Sequence, residues 1–208
     1  VGSTTSLINL LVNFFIGVSI GVNVLVSKYR AAEKEKQVRE TVHTAMAIAT
    51  IGGLLLSIIG ITLAPIILRM MDTPKEILGL ATVYVRTYFL GTTATILYNF
   101  GAAILRAVGD TKRPMSYLIV AGIVNVVFNL FFVIVFKWDV FGVGIATAIS
   151  QIISAILVIR CLCKTEGMIH LELKELRIYR DKLMKILQTG LPAGLQSSLF
   201  NIANVTIQ

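Results

Sequence analysis

Six long stretches of this chain carry almost no charge, and that absence decides what it can fold into. Residues 1–27, 87–105, 114–136, 140–159 and 187–208 hold no Asp, Glu, Lys or Arg, and residues 41–68 hold only His43 as an ionisable group. A helix needs about 20 apolar residues to cross the hydrocarbon of a bilayer, and every stretch meets or nearly meets that length. With 56% hydrophobic and only 14% charged residues, against about 25% charge in an ordinary soluble chain, a water-soluble domain has nowhere to hide its apolar surface. The expected fold class is therefore all-α, a polytopic transmembrane bundle of about six helices.

The charges collect in the links between these runs, and their distribution gives an orientation. The links after the first, third and fifth runs hold fifteen Lys or Arg, and the links after the second and fourth hold Arg69, Lys75 and Lys137. Cytoplasmic loops carry the excess of cations, so the first set is expected on the inner side of the plasma membrane, with the first residue outside. The net charge of +8 could suggest nucleic acid, but the cations sit in links with no aromatic-basic surface motif beside them. Cys161 and Cys163 lie at the end of the fifth span without further metal ligands and read as small apolar fillers kept reduced; no tight metal site is expected. The chain starts with Val1 on an apolar run and stops at Gln208 inside a helical pattern, so it is read as an internal piece of a longer protein.

Within the spans, five of six carry stripes of amides, hydroxyls and glycines at helical spacing. On the first they are Ser6, Asn9, Asn13, Gly17 and Gly21, the last two forming a GxxxG that permits close helix approach. On the third they are Tyr84, Tyr88, Gly91, Thr95 and Asn99; on the fourth Gly122, Asn125 and Asn129; on the fifth Gly144, Thr147, Gln151 and Ser154; on the sixth Gly190, Gly194, Ser197, Asn201 and Asn204. Such groups face one another as interhelical glue or line an aqueous cavity; taken together, so many amides favour a cavity. Pro65 should kink or end the second helix, and Pro192 should interrupt the sixth. His43 is expected at the membrane interface. Arg86, the only cation well inside a span, either snorkels to outer headgroups or partners a buried carboxylate or anionic group. Residues 164–185 read as an amphipathic surface segment. No carboxylate pair, His cluster or activated nucleophile is present within a span, and no Gly-Lys-Ser/Thr phosphate loop. An enzyme and an ATP-driven pump are therefore not expected, and a transport path fits better.

The link between the third and fourth spans reads LRAVGDTKRPM, with Arg106, Gly109, Asp110, Lys112, Arg113 and Pro114. Physically it is a tight hairpin: Gly109 supplies backbone freedom, Asp110 caps the next helix, and Pro114 suits a first helical turn. Its wording resembles the corresponding loop of the multidrug and toxic compound extrusion (MATE) transporters. GSTTSLINLLVNFFIGVSIGVNVLVSKYRAA, GIVNVVFNLFFVIVFKWDVFGVGIATAISQ and TGLPAGLQSSLFNIANVTIQ are likewise similar to that family's second, fifth-to-sixth and seventh spans. The resemblance implies a two-lobe, flippase-type fold. Residues 1–163 would be most of the first six-helix lobe, 164–185 the cytoplasmic link between lobes, and 186–208 the first helix of a second lobe that is otherwise missing.

It further implies secondary active efflux of drug-like amphipathic organic cations by alternating access, driven by Na+ or H+ with no other cofactor. In several family members a first-lobe cation site uses an Asp of the first span, an Asn and an Asp four apart on the fifth, and a Thr on the sixth. By motif these fall on Asn125, Asn129 and Thr147, with Asn129 standing where the family has Asp. The expected cavity residues are Asn9, Asn13, Tyr88, Asn99, Gln151, Gln196 and Asn201, and the expected hinge is Pro192. A lipid-linked precursor flippase and a non-transporting membrane scaffold remain as alternatives.

Overall fold

In the computed structural model, residues 2–70 and 74–207 are described, with the side chains of 2–11, 75, 139 and 197–207 outside that description. Among these residues six helices follow in order: α1 (Gly2–Ala31), α2 (Glu35–Met70), α3 (Lys75–Ala107), α4 (Lys112–Leu130), α5 (Asp139–Lys164) and α6 (Arg180–Ile207). A single π-helical turn, Phe131–Val135, extends α4. There is no strand among the described residues. Among the described residues five helical segments are long and apolar enough to cross a membrane: Val12–Ala31, Glu35–Met70, Glu76–Ala107, Lys112–Val135 and Val140–Lys164. Much of the sixth expected span, on α6, lies outside the described side chains.

The helices pack through small residues. Gly53 of α2 abuts Thr93 of α3, where an added Cβ would lie 3.0 Å from the Thr93 Cα. Gly60 of α2 receives the ring of Phe89, a Cβ added to Gly91 of α3 would lie 3.0 Å from the Ala148 Cα of α5, and one added to Gly101 of α3 would lie 2.8 Å from the Val158 side chain. The tightest crossing joins α1 and α6: a Cβ on Gly17 would overlap Gly194, one on Gly21 would overlap the Ile186 carbonyl, and one on Gly190 would lie 2.7 Å from the Val18 Cα. Two Gly-x-x-x-Gly faces thus meet with no side chain between them. By contrast α4 buries only Pro114 and Ala121; Leu118, Ile119, Ile123, Val126, Val127 and Leu130 are exposed, an apolar face suited to acyl chains.

Hydroxyls in the spans mostly turn back on their own helix. Thr50, Thr82, Thr87, Thr92 and Thr95 each donate to the carbonyl four residues earlier. Much of the polarity in the stripes is therefore satisfied locally, and among the described residues only Ser57 with Thr93, at 2.8 Å, bridges α2 and α3 by hydroxyls.

Pro65 does not end α2, which runs on to Met70. Proline lacks an N–H, so the Ile61 carbonyl four residues earlier loses its partner. Arg86 supplies the missing donor: its Nε reaches that carbonyl at 3.1 Å. The one cation deep in a span thus meets a backbone oxygen rather than a carboxylate, and in doing so lets the helix continue. Likewise α6 continues as a helix through Pro192 instead of being interrupted there.

The LRAVGDTKRPM hairpin forms as its residues dictate. Gly109 adopts φ +85°, the left-handed conformation that closes a helix, while Gly109 N donates to Arg106 O and Asp110 N to Leu105 O, both at 3.0 Å; this is a Schellman closure. Asp110 Oδ1 accepts from the Arg113 N–H at 3.1 Å, capping α4, and the buried Tyr98 hydroxyl donates to Pro114 O at 2.7 Å. Arg113 Nη1 reaches Cys161 Sγ and Thr165 Oγ1 on the far side, and both cysteines are free.

The 165–179 link is not a helix but an irregular strap with one 3-10 turn, Leu173–Glu175. It is tied across the first turns of α2. His43, 3% exposed, bonds the Arg39 carbonyl through Nδ1 at 2.8 Å and accepts from the Glu172 N–H through Nε2 at 3.2 Å. Thr44 Oγ1 accepts from the Tyr179 N–H at 3.1 Å, and Arg39 pairs with Glu172 and Glu175.

The Pro65–Arg86 relation is testable by a double-mutant cycle on the stability of the detergent-solubilised full-length protein. Arg86→Leu is expected to cost about 1–2 kcal/mol with Pro65 present and far less with Pro65→Ala, which restores the N–H. Additive effects would contradict it. At the hairpin, Gly109→Val should cost about 1–2 kcal/mol from its left-handed backbone, read as a lowered midpoint in thermal unfolding.

Candidate functional site

The residues that the sequence brought forward fall into one knot and several scattered positions. Asn125 and Asn129 stand one turn apart on α4 and face Thr147 and Ser150 on α5. Asn125 Nδ2 donates to Thr147 Oγ1 at 3.3 Å and to Ser150 Oγ at 3.4 Å, and Asn129 Nδ2 donates to Asn125 Oδ1 at 3.0 Å. Both hydroxyls give their protons to backbone: Thr147 to Val143 O at 2.9 Å and Ser150 to Thr147 O at 2.7 Å.

What remains in the knot is acceptor capacity. Asn129 Oδ1 is buried and has no hydrogen-bond partner among the described residues. A buried oxygen left unpaired costs about 1–3 kcal/mol, so this position favours a donor or a small hard cation, which prefers oxygen ligands. Apart from Asp139 at the start of α5, whose side chain lies outside the described residues, α4 and α5 include no carboxylate. Neutral oxygens alone replace a hydration shell poorly, so tight cation binding here needs a negative group from beyond the knot. Directly beyond Asn129 the helix widens into its π turn, a local geometry frequent at functional sites. There Phe132 stacks on Trp138 with centroids 5.5 Å apart.

Ser150 belongs to this knot and sequence reasoning passed over it. The signal was present: Ser150 lies three residues past Thr147, on the same helix face. Gln151 and Ser154 were preferred on that stripe, and Ser154 instead donates to the Gln151 carbonyl at 2.8 Å.

The candidate cavity residues do not converge in the same way. Asn13, Tyr88, Asn99 and Gln151 are half-buried and Gln196 is exposed; no hydrogen bond joins them among the described residues. Asn99 gives its amide to the Thr95 carbonyl at 2.8 Å, and Tyr88 stands edge-on to Phe89. The Asn9 and Asn201 side chains lie outside the described residues. Pro192 is exposed on the unbroken α6. In the hairpin motif, Arg106, Lys112 and Arg113 are exposed and Pro114 is buried.

Comparison with known proteins places this architecture. Residues 1–131 match the MatE family model. The probable multidrug resistance protein YoeA of Bacillus subtilis is 26% identical over 215 residues, covering 100% of this chain and 46% of that protein. The multidrug export protein MepA of Staphylococcus saprophyticus is 24% identical, covering 75% of this chain and 36% of that one. The chain thus spans about half or less of these relatives. Among solved structures, an inward-facing multidrug resistance MATE family transporter of the MOP superfamily superposes with TM-score 0.86 at 22% identity over 95% of this chain and 45% of its own. An outward-facing form gives 0.84 at 24% identity, with 96% and 44% covered.

If the unpaired Asn129 oxygen marks an ion position, Asn129→Asp supplies the charge it lacks. In the purified full-length protein, Na+ is expected to raise the melting temperature at a concentration at least about tenfold lower for Asn129→Asp than for the natural sequence. Equal Na+ responses in the two proteins would contradict the assignment.

Proposed function

The chain belongs to the MatE family, and we propose on that premise that it is the greater part of the first lobe of a secondary exporter, with α6 opening the second. The exporter moves amphipathic organic cations outward by alternating access, in exchange for Na+ or H+. It sits in the plasma membrane with the basic links on the cytoplasmic side, where cations are held back during insertion.

One observation carries the coupling half of this reading: the buried, unpartnered Asn129 oxygen beside Asn125, Thr147 and Ser150. A structural knot would close all of its acceptors, since an orphan serves packing no purpose. An ion-coupling site needs one left open, together with a carboxylate from a helix beyond this chain. The family resemblance points to an Asp on the preceding span.

The fate of Arg86 weighs against a flippase for pyrophosphate-linked lipids. Such a substrate calls for cations in the transport path, and this cation is engaged with the Ile61 carbonyl. A passive scaffold would instead leave ion gradients without effect.

The test is efflux of ethidium from cells making the full-length protein, with and without an inward Na+ or H+ gradient. Gradient-driven efflux is expected, and Asn125→Ala and Asn129→Ala should each reduce it at least about fivefold. Unchanged ion dependence in both variants would remove the site, and the absence of efflux under every gradient would remove the exporter.

A further inference from the structure

The basic end of the bundle holds a charge that the transport reading does not use. Lys182, in the first turn of α6, is 1% exposed. Its ammonium donates to Asp181 Oδ2 at 2.6 Å and to Gln37 Oε1, pairs with Glu40 Oε2 at 3.3 Å, and lies 5.3 Å from the centre of the Tyr29 ring. Gln37 and Glu40 belong to α2, and Tyr29 to α1. Lys185, one turn on, donates to the Tyr29 hydroxyl at 3.2 Å. Eight residues beyond Lys182, roughly 12 Å along the axis, the same helix begins its glycine crossing with α1 at Gly190 and Gly194.

We propose that Lys182, through Gln37 and Glu40 of α2 and the Tyr29 ring of α1, forms the cytoplasmic latch of the transporter, holding α6 of the second lobe against α1 and α2 of the first while the path is closed on that side. This rests on the reading of α6 as a second-lobe helix.

The physical case concerns what each contact loses when the seam parts. The Gly17–Gly21 and Gly190–Gly194 faces meet backbone to backbone, so they separate without any side chain having to change rotamer. That contact alone is van der Waals attraction, which loses a quarter to a half of its strength over a gap of about 0.5–1 Å. The lysine cluster behaves differently. Burial works to neutralise the Lys182 ammonium, but its hydrogen bonds with Asp181 and Glu40 win and hold it above the ordinary lysine range. Lys182 in turn holds the Asp181 carboxyl below the usual carboxylate range. Both groups are thus charged at neutral pH, with Asp181 supporting from α6 the charge that Lys182 presents to Glu40 across the seam; that charge is lost as pH rises through the raised Lys182 value.

Buried ion clusters are poor static glue, because desolvation cancels much of their attraction. They suit a contact that must open, since water repays the ions once they part. The strap reinforces the assignment. It is tied to α2 as far as Tyr179, whose N–H bonds Thr44, and α6 begins at Arg180. Lys182 is therefore among the first bonds that a swing of α6 would break.

The test uses the full-length protein in a background with Cys161→Ser, Cys163→Ser and no other reactive thiol. Val18→Cys places a thiol in the α1–α6 seam, where Val18 is 2% exposed, and Val158→Cys places one in the α3–α5 seam, where Val158 is 0% exposed. Maleimide labelling rates are read in inside-out vesicles. Lys182→Met is expected to raise the rate at position 18 at least about fivefold while the rate at position 158 moves less than about twofold. The milder Glu40→Gln should act in the same direction. An unchanged rate at position 18 in both variants, or equal rises at the two positions in both, overturns the latch. Labelling does not require transport, so failure of the exporter reading would show separately, as absent efflux.

Discussion

Helices in hydrocarbon gain nothing by hiding apolar side chains from one another, because the surrounding lipid is equally apolar. What holds this bundle together is how closely its backbones approach, and that is decided by where side chains are missing. Gly53, Gly60, Gly91, Gly101 and Gly144 seat α2 and α5 on α3, and the paired glycines of α1 and α6 allow the closest approach of all. The same seams explain the burial of Phe89, Phe100, Ile104 and Leu162 in the centre while α4 leaves most of its surface bare.

A second constraint follows from the solvent. Every backbone polar group in the hydrocarbon must find its partner within the protein. Arg86 on the Ile61 carbonyl is that rule enforced across helices, and the threonines bonding their own preceding turn are the same rule enforced locally. Against this background of satisfied groups, the open Asn129 oxygen stands out as a departure. Departures from local rules concentrate at functional sites.

The spans were legible because absent charge is a property of consecutive residues. The hairpin was legible for a related reason: Gly109, Asp110 and Pro114 act on their own immediate chain. Asn125 and Thr147 were named from a family pattern as candidate cation ligands, and in the structure their side chains are hydrogen-bonded. What sequence could not carry was partnership at a distance. Nothing local to Pro65 says that Arg86 will rescue its helix, and nothing local to His43 says that the strap will bury it. The same holds for Lys182, two of whose acceptors, Gln37 and Glu40, lie more than a hundred residues earlier on another helix. The stripes misled in one respect. A threonine or serine on an inward face looks alike whether it lines a cavity or bonds its own carbonyl, and here most do the latter.

The account turns on a substrate and an ion moving in opposite senses through one protein. Full-length protein reconstituted in sealed vesicles, given an outward gradient of an organic cation and no other driving force, measures this directly. The account predicts that Na+ or H+ enters as the organic cation leaves, and that Asn125→Ala uncouples the two. Movement of the organic cation with neither ion following, in the natural sequence, would contradict it.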